Sequence, residues 1–134
     1  MPEAPKKRVL FVCIGNSCRS QMAEGFARTY GADVMIAGSA GLAPAFIVAP
    51  DTVRAMDEKN IDLRHQFPKS LKQLARAQFD LVVNMSGYNL PPDVEAPVRE
   101  WDVPDPVSES YENHCKIRDD IESRVMALIL ELRR

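Results

Sequence analysis

The pattern of apolar and polar positions predicts strands and helices in alternation. Residues 8–14 form an almost continuous apolar run rich in β-branched side chains. Such a run is typical of a strand covered on both faces. After a Gly-Asn-Ser stretch, one apolar stripe recurs at helical spacing: Met22, Ala23, Phe26, Ala27 and Tyr30. A buried strand is therefore expected to lead into an amphipathic helix through a short loop.

The rest of the chain repeats this order. Further strands are predicted at residues 33–38, 79–85 and 98–101, and helices at 51–59 and around 69–77. A final amphipathic helix is marked by Ile117, Ile121, Val125, Leu128, Ile129 and Leu132. Strands alternating with helices predict a three-layer α/β fold. Its four-stranded parallel sheet has helices on both faces and a ligand site at the carboxyl ends of the strands.

Composition sets the broad class of the protein. The 134 residues, 46% of them hydrophobic, suit a single domain over 1–134 with a substantial core. A net charge of -2 argues against broad nucleic-acid binding. The apolar stretch after the basic residues 6–8 is too short for a signal peptide, and no run approaches a membrane span, so a cytoplasmic location without membrane partners is expected. Three cysteines fit a reducing compartment better than a disulfide framework.

The loop after the first strand contains the candidate chemistry, since residues 13–20 read Cys-Ile-Gly-Asn-Ser-Cys-Arg-Ser. Gly15 and Asn16 tolerate positive φ, so the loop can curl until several N–H groups converge at a helix N-terminus. A helix N-terminus and a nearby cation favour the thiolate of a cysteine, which predicts Cys13 as an activated nucleophile. The Arg19 guanidinium can hold two oxygens of a phosphoryl group, and Ser20 can donate to the sulfur. The predicted phosphate-binding loop comprises Ile14, Gly15, Asn16, Ser17, Cys18, Arg19 and Ser20.

A cysteine and an arginine six positions apart also occur by chance, and a cysteine at the end of a buried strand is usually a small hydrophobic residue. The surrounding strand, turn and helix favour the catalytic interpretation. A general acid is predicted in residues 100–106, where two prolines stiffen the chain. Asp105 is the expected acid, and Asp102 is the alternative.

The other cysteines and the histidines have weaker signals. Cys18 either forms a protective disulfide with Cys13 or packs as an unreactive residue, and both alternatives stay open. Cys115 is expected to be structural, and His65 and His114 to be surface residues. These residues lack the spacing of a zinc site, so no metal is predicted.

Three segments together resemble a known family: residues 12–20, residues 38–41 and Asp105-Pro106. They are similar to the low-molecular-weight protein tyrosine phosphatases and to the arsenate reductases that share their fold. The resemblance covers nearly the whole chain in order. It implies a flavodoxin-like, doubly wound sheet of the phosphotyrosine phosphatase I type, and no cofactor.

The resemblance also implies roles for single residues. Cys13 would be the nucleophile, Arg19 the phosphate clamp and Asp105 the general acid and base. Ser20 would be the hydrogen-bond partner of the thiolate. Asn16 would hold the loop in shape, with Ser39 as its partner. In that family phosphate is transferred to the cysteine and then to water.

The branch within the family is a separate question. Residues 17–25 resemble the arsenate reductase version of the loop. Thioredoxin-coupled reductases need two more cysteines shortly after the third strand, however, and residues 81–90 contain none. Cys115 lies too late in the sequence to match. A reductase of this sequence would therefore need an external thiol or thiol protein.

The segment after Asp105 lacks the aromatic residues that usually wall a phosphotyrosine ring in this family, and Tyr111, Tyr88 or Phe46 are the possible substitutes. The first expectation is a phosphate-monoester hydrolase, a protein tyrosine phosphatase acting through a cysteinyl-phosphate on phosphotyrosine proteins or small phosphate esters. The alternative is an arsenate reductase with an external thiol donor. A non-catalytic oxyanion-binding module is the third hypothesis.

Overall fold

A computed structural model describes residues 5–74 and 77–134. The strands are β1 (Lys7–Cys13), β2 (Met35–Gly41), β3 (Leu81–Asn84) and β4 (Val98–Glu100). The helices are α1 (Arg19–Tyr30), α2 (Pro50–Asp57), α3 (Leu71–Leu74) and α4 (Tyr111–Leu132). All strand pairs are parallel, in the order β2-β1-β3-β4. The predicted three-layer, doubly wound α/β fold is confirmed.

Strand β1 lies between two apolar layers. Val9, Phe11 and Cys13 face the larger core, which α1, α2 and α4 complete. Leu10 and Val12 face a smaller core that includes the buried Leu71 of α3. Both faces of β1 are therefore covered, which is why its apolar run shows no alternation. The carboxyl end of this buried strand is a rigid position for Cys13.

Several element boundaries differ from the sequence expectation. Strand β2 starts two residues later and extends to Gly41, because its seven residues pair in register with β1, from Lys7↔Met35 to Cys13↔Gly41. The helix expected around 69–77 is the four-residue α3, and positions 75 and 76 of that prediction lie outside the described residues. Helix α4 begins earlier than its apolar stripe, because the Ser110 hydroxyl accepts from Asn113 N at 3.1 Å and caps it.

None of the described helices combines the length and the apolar character needed to span a membrane. The longest, α4, instead packs along α1 and α2. Its polar anchors are buried. The Thr52 hydroxyl and His114 Nε2 lie 3.0 Å apart, and Arg118 Nη1 donates to the Ala55 carbonyl at 2.9 Å.

The two histidines occupy different environments. His65 is exposed, as expected. His114 is only 3% exposed, so the expectation of a surface position is wrong. Its place in the first turn of α4, against α2, buries it, and sequence spacing gives no sign of that contact. Burial lowers the pKa of His114, because the interior disfavours the charged ring.

The buried histidine should make stability depend on pH. Because its pKa is lowered in the folded chain, the unfolded chain binds the proton more readily, and the free energy of unfolding should fall as pH drops below about 6.5. The loss should level off below the folded-state pKa. His114→Gln should remove this part of the profile, measured by urea unfolding between about pH 8 and about pH 5. The exposed His65→Gln is the matched control and should keep the wild-type profile. A wild-type profile in His114→Gln would contradict the prediction.

Candidate active site

The loop of residues 14–18 is shaped by hydrogen bonds to its carbonyl groups. Amide groups from residues 42–49 donate at 2.8–3.1 Å to the carbonyls of Cys13, Ile14, Gly15 and Ser17. Within residues 5–74 and 77–134, no group accepts from the backbone N–H groups of residues 14–18. With the carbonyls bonded to one side, these N–H groups at the start of α1 remain available for a tetrahedral oxyanion.

Asn16 connects the loop to its surroundings. It adopts φ 47°, the left-handed conformation that the sequence indicated. Its Nδ2 donates to Ser20 Oγ at 2.7 Å, and its Oδ1 accepts from the backbone N–H of Lys69 at 2.8 Å. Gln21 Nε2 donates to its carbonyl at 2.9 Å. The loop is thus tied both to α1 and to the segment before α3.

Sequence reasoning missed Lys69 and Gln21 as supports of the loop. Lys69 is distant in sequence and acts through its backbone N–H, which every residue except proline has. Gln21 lies next to the motif, but its amide also donates to the Phe67 carbonyl at 3.1 Å. That second contact depends on tertiary packing. Neither residue has a local sequence signal that would identify it.

Cys13 lies at the end of β1 with 2% of its surface exposed. Its Sγ is 2.9 Å from Ser20 Oγ. Because Asn16 Nδ2 already donates to this hydroxyl oxygen, the proton of Ser20 is free to point at the sulfur. The buried pair is therefore arranged so that Ser20 donates to a Cys13 thiolate, which is the arrangement that the sequence predicted.

Arg19 is held by two main-chain carbonyls. Its Nη1 donates to the Met85 carbonyl, after β3, and to the Val103 carbonyl, after β4, the latter at 3.0 Å. Its Nη2 lies 3.5 Å from Asp105 Oδ2. The guanidinium is 4% exposed, so these contacts fix its orientation in the interior. Three strand ends, from β1, β3 and β4, thereby meet at the cysteine loop.

The two candidate acids are clearly separated. Asp105 reaches Arg19, and its Oδ1 accepts from Val107 N at 3.0 Å. Its side chain is 41% exposed, so it has access both to the site and to solvent protons. Asp102 is exposed, and its carbonyl accepts from Arg124 Nη2 at 3.1 Å. The geometry therefore favours Asp105 over Asp102 as the general acid.

The expected bond between Ser39 and Asn16 is not among the contacts of the described residues. The Ser39 hydroxyl donates instead to Glu24 Oε1 at 2.5 Å. The sheet register explains this, because Ser39 pairs with Phe11, whereas Gly41 pairs with Cys13. Gly41 is thus the β2 residue at the level of the loop. Sequence reasoning had noted it only as part of residues 38–41.

The three aromatic residues considered as a phosphotyrosine wall occupy separate positions. Phe46 and Tyr88 project into solvent from different loops, with Phe46 fully exposed. The Tyr111 hydroxyl donates to Glu58, and the Arg54 guanidinium carbon lies 3.8 Å from the centre of its ring. These contacts hold Tyr111 between α2 and α4. In the described ranges, no group of three His, Cys, Asp or Glu side chains is arranged to hold a metal.

The comparisons with known proteins agree with this site. The model of the family "Low molecular weight phosphotyrosine protein phosphatase" matches residues 8–92. The chain belongs to this family. A relative of the phosphatase-family chain is a glutaredoxin arsenate reductase from Synechocystis sp., 36% identical over 130 residues, covering 94% of this chain and 98% of the relative.

Solved structures show the same relationship. An arsenate reductase in the phosphate-binding state superposes on this family member with a TM-score of 0.87 and 36% identity, over 94% of this chain and 98% of that one. The YwlE arginine phosphatase with a phosphorylated active-site serine gives 0.79 and 25%, over 95% and 96%. The family resemblance inferred from the sequence is confirmed, and the chain is an enzyme of this phosphatase family.

The approach of β2 to the cysteine loop leads to a prediction. A Cβ at Gly41 would lie 2.7 Å from the Ile14 carbonyl oxygen and 2.8 Å from Asn16 N, both main-chain atoms of the loop. Gly41→Ala should therefore displace the loop and weaken phosphate binding by about tenfold or more, measured by calorimetry. Gly38→Ala is the matched control on the same strand, since its nearest contact would be Leu10 Cδ1 at 3.7 Å. Equal phosphate affinities for the two variants would contradict this role of Gly41.

Proposed function

We propose that the chain is an arsenate reductase, in which Cys13 is the nucleophile and a thiol supplies the electrons. The observation that carries this proposal is the likeness to proteins named arsenate reductase, at 36% identity over 94% of the chain with a TM-score of 0.87. The N–H groups of the loop and the adjacent Arg19 suit any tetrahedral oxyanion. This proposal takes the second of the functions expected from the sequence and places it before tyrosine phosphatase.

In the first step, the N–H groups of the loop and the guanidinium of Arg19 hold arsenate beside Cys13. The thiolate attacks arsenic, a sulfur–arsenic bond forms, and one arsenate oxygen leaves as water. Asp105 supplies the proton for that oxygen, since its carboxyl group lies 3.5 Å from Arg19 at the solvent side of the site. Ser20 stabilises the thiolate before attack through its hydroxyl, 2.9 Å from the sulfur.

In the second step, a thiol attacks the Cys13 sulfur. A disulfide bond forms, the sulfur–arsenic bond breaks, and its electron pair stays on arsenic, which leaves as arsenite. The full sequence has three cysteines, and residues 81–90 contain none. An external thiol must therefore return the enzyme to its dithiol state. The name of the Synechocystis relative, glutaredoxin arsenate reductase, supports a thiol protein as this donor.

The direct test is arsenite production by the purified chain. Arsenate is supplied with dithiothreitol, with glutathione plus glutaredoxin, or with thioredoxin plus its reductase, and arsenite is measured by chromatography with elemental detection. Cys13→Ser should abolish the reaction, because serine at this position is a far weaker nucleophile. Cys115→Ser should retain it, because Cys115 lies on α4 beside Glu58 rather than in the loop. Arsenite from Cys13→Ser, or none from the wild type with any donor, would refute the proposal.

Phosphate-monoester hydrolysis is the second candidate, and the contact between Asp105 and Arg19 favours it. This carboxyl group is placed to protonate a leaving oxygen and then to activate water. The aromatic positions favour small phosphate esters over phosphotyrosine proteins, because Tyr111 is held by Arg54 and Glu58. The same loop and the same nucleophile would serve both reactions.

The acid is tested with two aryl phosphates that differ in leaving-group acidity. Asp105→Asn should slow hydrolysis of the ester with the poor leaving group by about 10² or more, and the ester with the good leaving group far less, since only the first needs a proton. Asp102→Asn is the matched control and should behave as the wild type. If both esters slow equally in Asp105→Asn, Asp105 is not the general acid.

A further inference from the structure

We propose that Cys18 is a second catalytic cysteine, which attacks the Cys13 sulfur of the arsenic adduct and releases arsenite as a Cys13–Cys18 disulfide forms. This inference rests on the proposed reductase function and deepens it. It assigns a reaction step to a buried residue that the first step does not use. It also gives the chain an internal relay without the cysteines that other reductases carry after the third strand.

The first argument is the position of Cys18 in the loop. Cys18 directly precedes α1, and two residues further on the Ser20 hydroxyl lies 2.9 Å from Cys13 Sγ. The loop therefore curls back toward the strand that carries Cys13. The two sulfur groups are near enough for the charge of Cys13 to affect Cys18. Both are free thiols.

The second argument is access. A cavity of about 370 Å³ beside the loop is lined by Cys18, by Asp51 of α2, by residues 106–109 and by His114 of α4. Cys13 is not among its lining residues. A donor thiol that enters this cavity would therefore meet Cys18 first. Attack on the Cys18 sulfur of the disulfide would free Cys13 for the next arsenate.

The third argument is the environment of the Cys18 thiol. Burial raises the pKa of Cys18, and the charge of Cys13 adds to this effect, so Cys18 stays protonated while Cys13 is the thiolate. The Thr52 hydroxyl acts in the opposite direction and lowers the pKa of Cys18. That hydroxyl is 3.0 Å from His114 Nε2. Thr52 is thus placed to stabilise the Cys18 sulfur as it loses its proton.

The step balances in atoms and electrons. The Cys18 sulfur forms a bond to the Cys13 sulfur, and the bond between Cys13 and arsenic breaks. The electron pair of that bond stays on arsenic, which passes from arsenic(V) to arsenic(III), while the two thiols become a disulfide. The proton of Cys18 goes to an arsenic-bound oxygen. An external thiol then reduces the disulfide.

A single turnover without any donor tests this step. Fully reduced protein is freed of reductant under nitrogen and mixed with arsenate, and arsenite and free thiols are counted. The wild type should release about one arsenite per chain and lose about two thiols, because the loop itself holds both electrons' worth of sulfur. Mass spectrometry of peptides should show the link between Cys13 and Cys18. A link from Cys13 to Cys115 would overturn the proposal.

Cys18→Ser and Cys18→Ala should each release about tenfold less arsenite, or none, under these conditions. Their affinity for inorganic phosphate, measured by calorimetry, shows whether the loop is still folded. Cys115→Ser is the matched control and should release as much arsenite as the wild type. Wild-type release from a Cys18 variant that binds phosphate would overturn the relay, as would wild-type protein that turns over with dithiothreitol but releases nothing alone. No arsenite from any form, even with donors, would instead refute the reductase function itself.

Discussion

The site depends on one constraint, the hydrogen bonds that hold the carbonyl groups of the cysteine loop to one side. Buried backbone groups need partners, and here amides of residues 42–49 supply them for four successive or nearly successive carbonyls. Residues 42–49 continue directly from β2, which pairs with β1 over seven residues. The sheet register thereby sets the position of the segment that shapes the loop. The N–H groups face the anion because the carbonyl groups are already bonded elsewhere.

The same economy governs the charged and polar side chains. Arg19 is almost fully buried, and an unpaired cation there would be costly. Two carbonyls and Asp105 satisfy it, and these come from the ends of β3 and β4. No buried side-chain nitrogen or oxygen in the described ranges lacks a hydrogen-bond partner. A rigid, satisfied framework of this kind costs little reorganisation when the anion arrives.

Local sequence carried much of this site. The strand, the left-handed Asn16, the pairing of Ser20 with Cys13 and the choice of Asp105 over Asp102 follow from neighbouring residues and known turn preferences. The parallel sheet followed from the alternation of elements, because such a sequence leaves few other topologies.

What the sequence missed depends on packing between distant segments. The backbone N–H of Lys69 binds Asn16, and any residue at that position would provide it. Ser39 was assigned to the loop by resemblance, but the register places Gly41 there. His114 is buried because α4 lies against α2, and a helix of mixed polarity does not announce which turn meets its neighbour. Backbone donors and helix contacts of this kind have no signature in the order of residues.

The loop recognises shape and charge, and these are nearly the same in phosphate and arsenate. The outcome is decided after the nucleophile has attacked. A phosphorus adduct on Cys13 can be released by water, for which Asp105 is available at the solvent side of Arg19. An arsenic adduct has a further route, because arsenic(V) accepts the electron pair of its bond to sulfur when a thiol attacks that sulfur. A thiol within the loop therefore matters to arsenate and not to phosphate. The presence of Cys18 between Cys13 and an open cavity is the feature by which this phosphatase fold is fitted to reduction.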